Sequence, residues 1–414
     1  MDDALIYDWN QDTPPARPPI VALNDETLRD GLQSPSVRAP SIDQKVQVLH
    51  LLDRVGIDCA DIGLPGAGPH VVRDVERLTR EIAESRLRIR PNCAARTVIG
   101  DIEPIADIVQ RTGVPIECCC FIGSSPIRRY AEDWTVDYLQ RCTEEAVTFA
   151  VKHELTVMYV TEDTTRSDPD TLQRLFSTAI HAGASRICIA DTVGHATPAG
   201  ARAIVRFAQR IIDTTGVTVG IDWHGHRDRD MATTNSLAAF EAGASRVHGT
   251  VLGLGERVGN TAIDLLLVNL VIMGWIERDL SPLSDLVRLV SEATAEPVPD
   301  NYPVFGRDAF RTATGVHAAA VVKAFHKQDT ELADTVYSGV PARLVGRSQE
   351  IEIGPLSGRS NVLYWLERRG IDADEALVDR VFRLAKASRT VLTEQEVLRE
   401  IEIAKGYSTT RLDA

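Results

Sequence analysis

Short apolar runs recur along the chain, and each is followed by a stretch with helical spacing of its apolar positions. The runs are Ile20–Asn24, Cys59–Pro65, Leu87–Ala94, Pro115–Ile122, Leu155–Glu162, Arg186–Thr192, Val217–His226 and Arg246–Leu254. Amphipathic stretches such as Ser41–Val55, Pro69–Ser85, Thr135–His153, Thr171–Ala182 and Thr197–Thr214 lie between them. Near-continuous apolar strands that alternate with helices indicate a parallel sheet buried on both faces. Eight such units within about 250 residues fit a closed (β/α)8 barrel, predicted over residues 20–280. A doubly wound open sheet is the alternative, but no G-x-G-x-x-G follows the first strand. An internal echo supports the barrel. Ala182-Gly183-Ala184-Ser185-Arg186 and Ala242-Gly243-Ala244-Ser245-Arg246 each put a glycine where a helix ends and a strand begins.

The texture changes after Asn260. A long apolar helix over Ala262–Ile276 leads to Ser281-Pro282, and residues 281–414 read as a smaller, mainly helical region. Its helical segments lie around Leu283–Ala295 and Gly315–Lys327, with a short segment Glu350–Gly354 and a tail from Glu375 to Lys405. Residues 1–19 are expected to form a flexible arm.

The composition narrows the function classes. In 414 residues, 45 Lys and Arg stand against 59 Asp and Glu, a formal charge of −14. That balance disfavours nucleic acid and membrane surfaces as partners but permits a locally basic pocket. No apolar run approaches the roughly 20 residues of a membrane span. The Pro-rich acidic N-terminus has no signal-peptide apolar segment. Seven cysteines, three of them adjacent at 118–120, suit neither a disulfide framework nor a zinc knuckle. The expectation is a cytoplasmic protein with reduced, mostly buried thiols.

A barrel carries its chemistry at the C-terminal ends of its strands. Asn24-Asp25-Glu26-Thr27-Leu28-Arg29-Asp30-Gly31-Leu32-Gln33 follows strand one, Asp222-Trp223-His224-Gly225-His226 ends strand seven, and Gly253-Leu254-Gly255-Glu256-Arg257-Val258-Gly259-Asn260 follows strand eight. His224 and His226, two apart on a strand, point to one face. Alone, such a pair is most simply a hydrogen-bonded surface pair. Barrel closure, however, makes strands seven, eight and one neighbours, which brings Asp30 and Asn260 to the histidines. Two imidazoles, a carboxylate and an amide oxygen suit a divalent Mg, Mn or Zn ion. Arg29 puts a permanent cation beside this set, either to stabilise a developing oxyanion or as a plain salt-bridge partner of Asp30. Glu162, Asp163 and Arg166 after strand five, and Asp191 and Thr192 at the end of strand six, could orient a substrate or pair with one another. The glycines after strand eight are a weak phosphate signal.

Thr27-Leu28-Arg29-Asp30-Gly31, His224-Gly225-His226-Arg227-Asp228 and the G-x-G-E-R-x-G-N segment ending at Asn260 resemble the DRE-TIM metallolyases. Within them, Glu162-Asp163-x-x-Arg166, Asp191-Thr192-Val193-Gly194, Gly315-Val316-His317, Tyr337 and Ser357-Gly358-Arg359 are similar to the acyl-CoA-condensing branch of isopropylmalate, homocitrate and citramalate synthases. The resemblance covers roughly residues 20–365. It implies Asp30, His224, His226 and Asn260 as metal ligands, and Arg29 as the residue steadying the alkoxide. Gln33, Arg96 and Thr192 would bind the 2-oxo acid. Glu162, His317 and Tyr337 would take part in removing a proton from acetyl-CoA, with His317 supplied by the partner chain of a homodimer. The product expected is a 2-alkylmalate-type acid. Leu32, in R-D-G-L-Q, is instead similar to the hydroxymethylglutaryl-CoA lyase branch. Cys119 stands where isopropylmalate synthases carry a histidine, and Met158 where homocitrate synthases carry an arginine for a second carboxylate, with Val160 on the same face. Apolar side chains there suit an apolar oxo acid, although Arg96, Arg128 or Arg129 could still supply a charge. A lyase of a 3-hydroxyacyl-CoA and a non-catalytic metabolite-binding barrel remain as alternatives.

Overall fold

The computed structural model describes residues 5–11 and 17–404. The described residues fall into two compact units, one of residues 10–11 and 17–297 and the other of residues 5–9 and 298–404. In the larger unit, eight parallel strands close a barrel in sequence order: β1 (Ala22–Asp25), β2 (Cys59–Asp61), β3 (Arg90–Arg96), β4 (Glu117–Gly123), β5 (Val157–Glu162), β6 (Arg186–Asp191), β7 (Gly220–Gly225) and β8 (Arg246–Gly249). Closure is made by β1 on β8, with Leu23 opposite Val247 and Asp25 opposite Gly249.

The helices between the strands are α1 (Ile42–Arg54), α2 (Pro69–Glu84), α3 (Ile99–Thr112), α4 (Pro126–Glu132), α5 (Val136–Lys152), α6 (Pro169–His181), α7 (Pro198–Thr215) and α8 (Ala232–Ala242). Their starts obey local rules. Ser41 and Gln44 form a reciprocal capping box on α1, and Asp168 and Thr197 cap α6 and α7. Proline opens α2, α4, α6 and α7, where no amide partner is lost. The two echoed joints turn through Gly183 and Gly243 at φ +109° and +116°, as a left-handed helix end requires.

Two further helices, α9 (Ile263–Ile272) and α10 (Leu283–Thr294), also belong to the barrel unit. The boundary thus falls after Pro297 rather than after residue 280. The reason is burial: Leu283, Leu286, Val287 and Val290 of α10 are all nearly inaccessible, and Arg38 donates to the Glu292 and Ala293 carbonyls at the end of α10.

The smaller unit contains α11 (Gly315–His326), α12 (Thr330–Thr335), α13 (Arg359–Glu367), α14 (Glu375–Ala387), α15 (Glu394–Ala404) and a parallel pair of two-residue strands, β9 (Arg311–Thr312) and β10 (Glu350–Ile351). Val362, Trp365, Leu366, Val378, Val381 and Ile401 build its core. The expected tail helix is two helices, because Ser388 takes an extended conformation; Lys405 lies outside the described residues, as do residues 1–4 and 12–16 of the expected arm. All seven cysteines are free, and six are buried. Among the described residues, no helix is long and apolar enough to cross a membrane.

Candidate active site

The turn after β1 is built by Asp25, whose carboxylate accepts from the Thr27 amide (2.9 Å) and hydroxyl (2.8 Å). This folds the chain back, so that the amides of Arg29 and Gly31 donate to the Glu26 carbonyl at 3.1 and 3.0 Å. Glu26, Arg29 and Asp30 are thereby turned into one cavity of about 220 Å³ at the C-terminal end of the barrel. Strand alternation on β7 aims Asp222 and His224 inward, and His226 continues the row where its backbone bridges to Asn260.

There the expected cluster forms. The Nε2 atoms of His224 and His226 stand 3.1 Å apart, and Asp30 Oδ2 lies 3.5 and 3.7 Å from them. Burial, and then His224 beside it, lower the His226 pKa to about 4, so its ring is neutral at pH 7, as metal ligation demands. Asn260 donates through Nδ2 to the Leu254 carbonyl (3.0 Å), while its buried Oδ1 has no hydrogen-bond partner among the described residues. A buried acceptor without a partner, on a residue whose backbone bridges to that of His226, is a donor type that together with the converging imidazoles and carboxylate fits a hard or borderline divalent ion. The glycines of the β8 loop serve packing: a Cβ on Gly255 would collide with the Asn260 amide, and one on Gly259 with the Gly253 carbonyl.

Arg29 is held by three carboxylates, Glu26 (2.9 Å), Asp61 (2.8 Å) and Asp30 (3.7 Å). Burial alone would lower its pKa, but these charges push it well above the ordinary value. Below it lies a buried ionic chain. Glu26 meets His224 Nδ1 at 2.9 Å and His248 Nδ1 at 2.8 Å; His248 Nε2 meets Asp222 at 2.8 Å. Asp222 in turn accepts from Arg186 and Arg246. The echoed segments thus place their two terminal arginines on one carboxylate. Arg246 also binds Glu117 at 2.6 Å.

A family model described as HMGL-like matches residues 20–291. The chain belongs to the HMGL-like family. A probable 2-isopropylmalate synthase of Methanopyrus kandleri is 34% identical over 374 residues, covering 89% of this chain and 70% of the relative. The homocitrate synthase AksA of the same organism is 34% identical over 399 residues, covering 94% of each. Among solved structures, an HMG-CoA lyase from Brucella melitensis superposes with a TM-score of 0.55 at 17% identity, over 67% of this chain and 99% of that one. That likeness is one of fold.

The rest of this HMGL-like cavity has an apolar wall. Cys119, Met158 and Cys188 pack together with Val160 against them, and Leu64, Ala94, Phe121 and Ala190 complete the lining. Gln33, Glu162 and Thr192 also line the cavity. The Thr192 hydroxyl accepts from the Asp163 amide at 2.8 Å, which leaves its O–H free to donate. Burial raises the Glu162 pKa above the ordinary carboxylate value, against the pull of Arg128. Arg96 is not among the lining residues; its exposed guanidinium pairs with Asp101 at 2.7 Å. Arg128 pairs with Glu132 and Arg129 with Asp168, each at 2.9 Å. His317 and Tyr337 lie in the smaller unit, stacked with centroids 4.2 Å apart.

Sequence reasoning missed Asp61, Glu117, Asp222, Arg246 and His248, and gave Glu26 and Arg257 no role. Asp222 and His248 were reachable by alternation, being two residues before His224 and two after Arg246 on strands already identified.

Proposed function

We propose that this barrel condenses an acyl-CoA, with acetyl-CoA as the expected donor, with a small monocarboxylic 2-oxo acid. A carbon–carbon bond forms between the thioester α-carbon and the ketone carbon. The ketone oxygen becomes a hydroxyl, and water then cleaves the thioester to release CoA and a 2-alkylmalate-type acid. The observation that carries the reading is the contrast within one cavity, which is lined both by a paired cation and carboxylate–imidazole donors and by the Cys119–Met158–Val160–Cys188 wall. A second substrate carboxylate would have to find a partner there. Yet the arginines nearby, Arg29, Arg246 and Arg257, are each already matched by carboxylates, and burying an unpaired carboxylate is costly. Relatives named isopropylmalate, homocitrate and citramalate synthases support the reaction class.

Asp30, His224, His226 and Asn260 would hold a divalent cation, which when bound supplies Lewis-acid polarisation of the keto group. Thr192 donates its hydroxyl to the oxo acid's carboxylate, and Gln33 adds an amide at the rim. Arg29, pinned by Glu26 and Asp61, offers fixed positive charge where the ketone oxygen becomes anionic. Glu162, with its raised pKa at the cavity wall, takes part in moving the α-proton; His317 and Tyr337 are proposed to join it from a partner chain of a homodimer. Leu32, half-buried in R-D-G-L-Q, favours a second reading, cleavage of a 3-hydroxyacyl-CoA.

The test is release of free CoA thiol from acetyl-CoA with 2-oxoisovalerate, pyruvate or 2-oxoglutarate in turn, and separately cleavage of hydroxymethylglutaryl-CoA. Turnover fastest with an apolar monocarboxylic oxo acid is expected. Preference for 2-oxoglutarate would overturn the assignment of the pocket, and cleavage without condensation would install the lyase reading.

A further inference from the structure

His248, buried on β8, has a carboxylate on each ring nitrogen, Glu26 on Nδ1 and Asp222 on Nε2, both at 2.8 Å. A carboxylate only accepts, so both nitrogens must donate, and the ring is an imidazolium fixed in orientation. Its lower carboxylate, Asp222, is itself immobilised by Arg186 and Arg246. Its upper carboxylate, Glu26, brings its other oxygen to ion-pair distance, 2.9 Å, from both His224 Nδ1 and Arg29 Nη2, and that oxygen completes no hydrogen bond among the described residues. All of these groups except Arg29, Arg186 and His224 are nearly inaccessible to solvent. The chain therefore runs from an anchored arginine pair, through one carboxylate, one imidazolium and a second carboxylate, to the ring that shares the cluster with His226 and Asp30.

We propose that Glu26 and His248 are positioning residues that hold His224 as its Nδ1–H tautomer, with the Nε2 lone pair directed at the His226–Asp30 cluster. A histidine whose far nitrogen donates to a fixed carboxylate loses ring rotation and tautomer choice, and becomes a stronger base at the near nitrogen. Glu26 does this only if it is itself fixed, which is the part His248 plays. In this reading both act through His224 rather than on the substrate. The inference rests on the metal reading of the cluster, and its test separates the two.

The full chain, freed of metal with chelator and labelled with ¹⁵N at histidine, is examined by NMR at pH 7.5 and then titrated with cobalt(II). Binding is followed by calorimetry and by visible absorption. In the wild type, His224 should carry its proton on Nδ1 and bind one cobalt per chain. In Glu26→Gln the tautomers should mix, cobalt affinity should fall roughly 10- to 100-fold, and the absorption bands should shift. His248→Gln, which keeps the carboxylate but frees it, should show the same change at smaller amplitude. A wild-type His224 protonated on Nε2 overturns the proposal without any variant, so a Glu26→Gln protein that fails to fold does not protect it. Unchanged affinity and spectrum in Glu26→Gln overturns it as well. Two cobalt ions per chain would make Glu26 and His248 ligands rather than positioning residues. A wild type that binds no divalent ion sinks the metal reading itself, whatever the tautomer.

Discussion

The stability of the protein should depend on pH through His248, which is held between two buried carboxylates. Burial disfavours the charged ring, but Glu26 and Asp222 reverse this and raise its pKa to about 9, against an ordinary value near 6.5. The folded state therefore binds the proton more tightly than the unfolded state. The gain is complete below about pH 6.5, declines as pH rises, and is gone above about pH 9. A gap of roughly 2.5 units at about 1.4 kcal/mol each amounts to about 3 kcal/mol. His248→Gln has no such proton to lose. Urea unfolding of metal-free wild type and variant, followed by far-UV circular dichroism from pH 6 to pH 9.5, isolates the term by difference. Other groups, such as the buried Asp25 carboxyl raised to about 7, titrate in both proteins and cancel. The variant's deficit should be greatest at pH 6 and shrink by about 3 kcal/mol at pH 9.5. Two stability curves that run parallel across this range would refute a charged His248.

Chelator should abolish turnover and a divalent ion restore it, and His224→Ala should bind the ion far more weakly, since three donors cannot replace four; full activity in metal-free protein would end that reading. Met158→Arg puts a second guanidinium where Arg246 Nη2 already lies 3.3 Å from the Met158 sulfur, so turnover of an apolar oxo acid, measured as kcat/KM, should fall by about tenfold or more. An unchanged value would remove Met158 from the pocket. His317→Ala should lower kcat by roughly 10²- to 10⁴-fold, and mixing it with Arg29→Ala protein should restore activity if sites are shared between chains. No recovery despite verified subunit exchange, seen by native mass spectrometry, counts against sharing.

How much of this was legible in the sequence can be followed residue by residue. The period-2 pattern puts His224 and His226 on one face, and the eight-fold alternation makes β7, β8 and β1 neighbours; residue order alone thus brings Asp30 and the two histidines together. Apolar side chains at 158 and 160 were enough to place a hydrophobic wall at the end of β5, because burial of such residues is non-directional and follows from strand register alone. Ionic partners were a different matter. Arg96 sits at the end of β3 and was a fair candidate for the pocket, but Asp101, five residues on, captures it outside. The sequence pattern marks Arg246 only as the start of a strand, yet it ends buried between Asp222 and Glu117. Charged side chains are long, and each settles on whichever opposite charge desolvates it least, a choice made by distances between strands that are 24 to 129 residues apart in the chain. For that reason the strands, the helices and the candidate ligands could be read from residue order, whereas the Glu26–His248–Asp222 chain beneath them exists only once the barrel has closed.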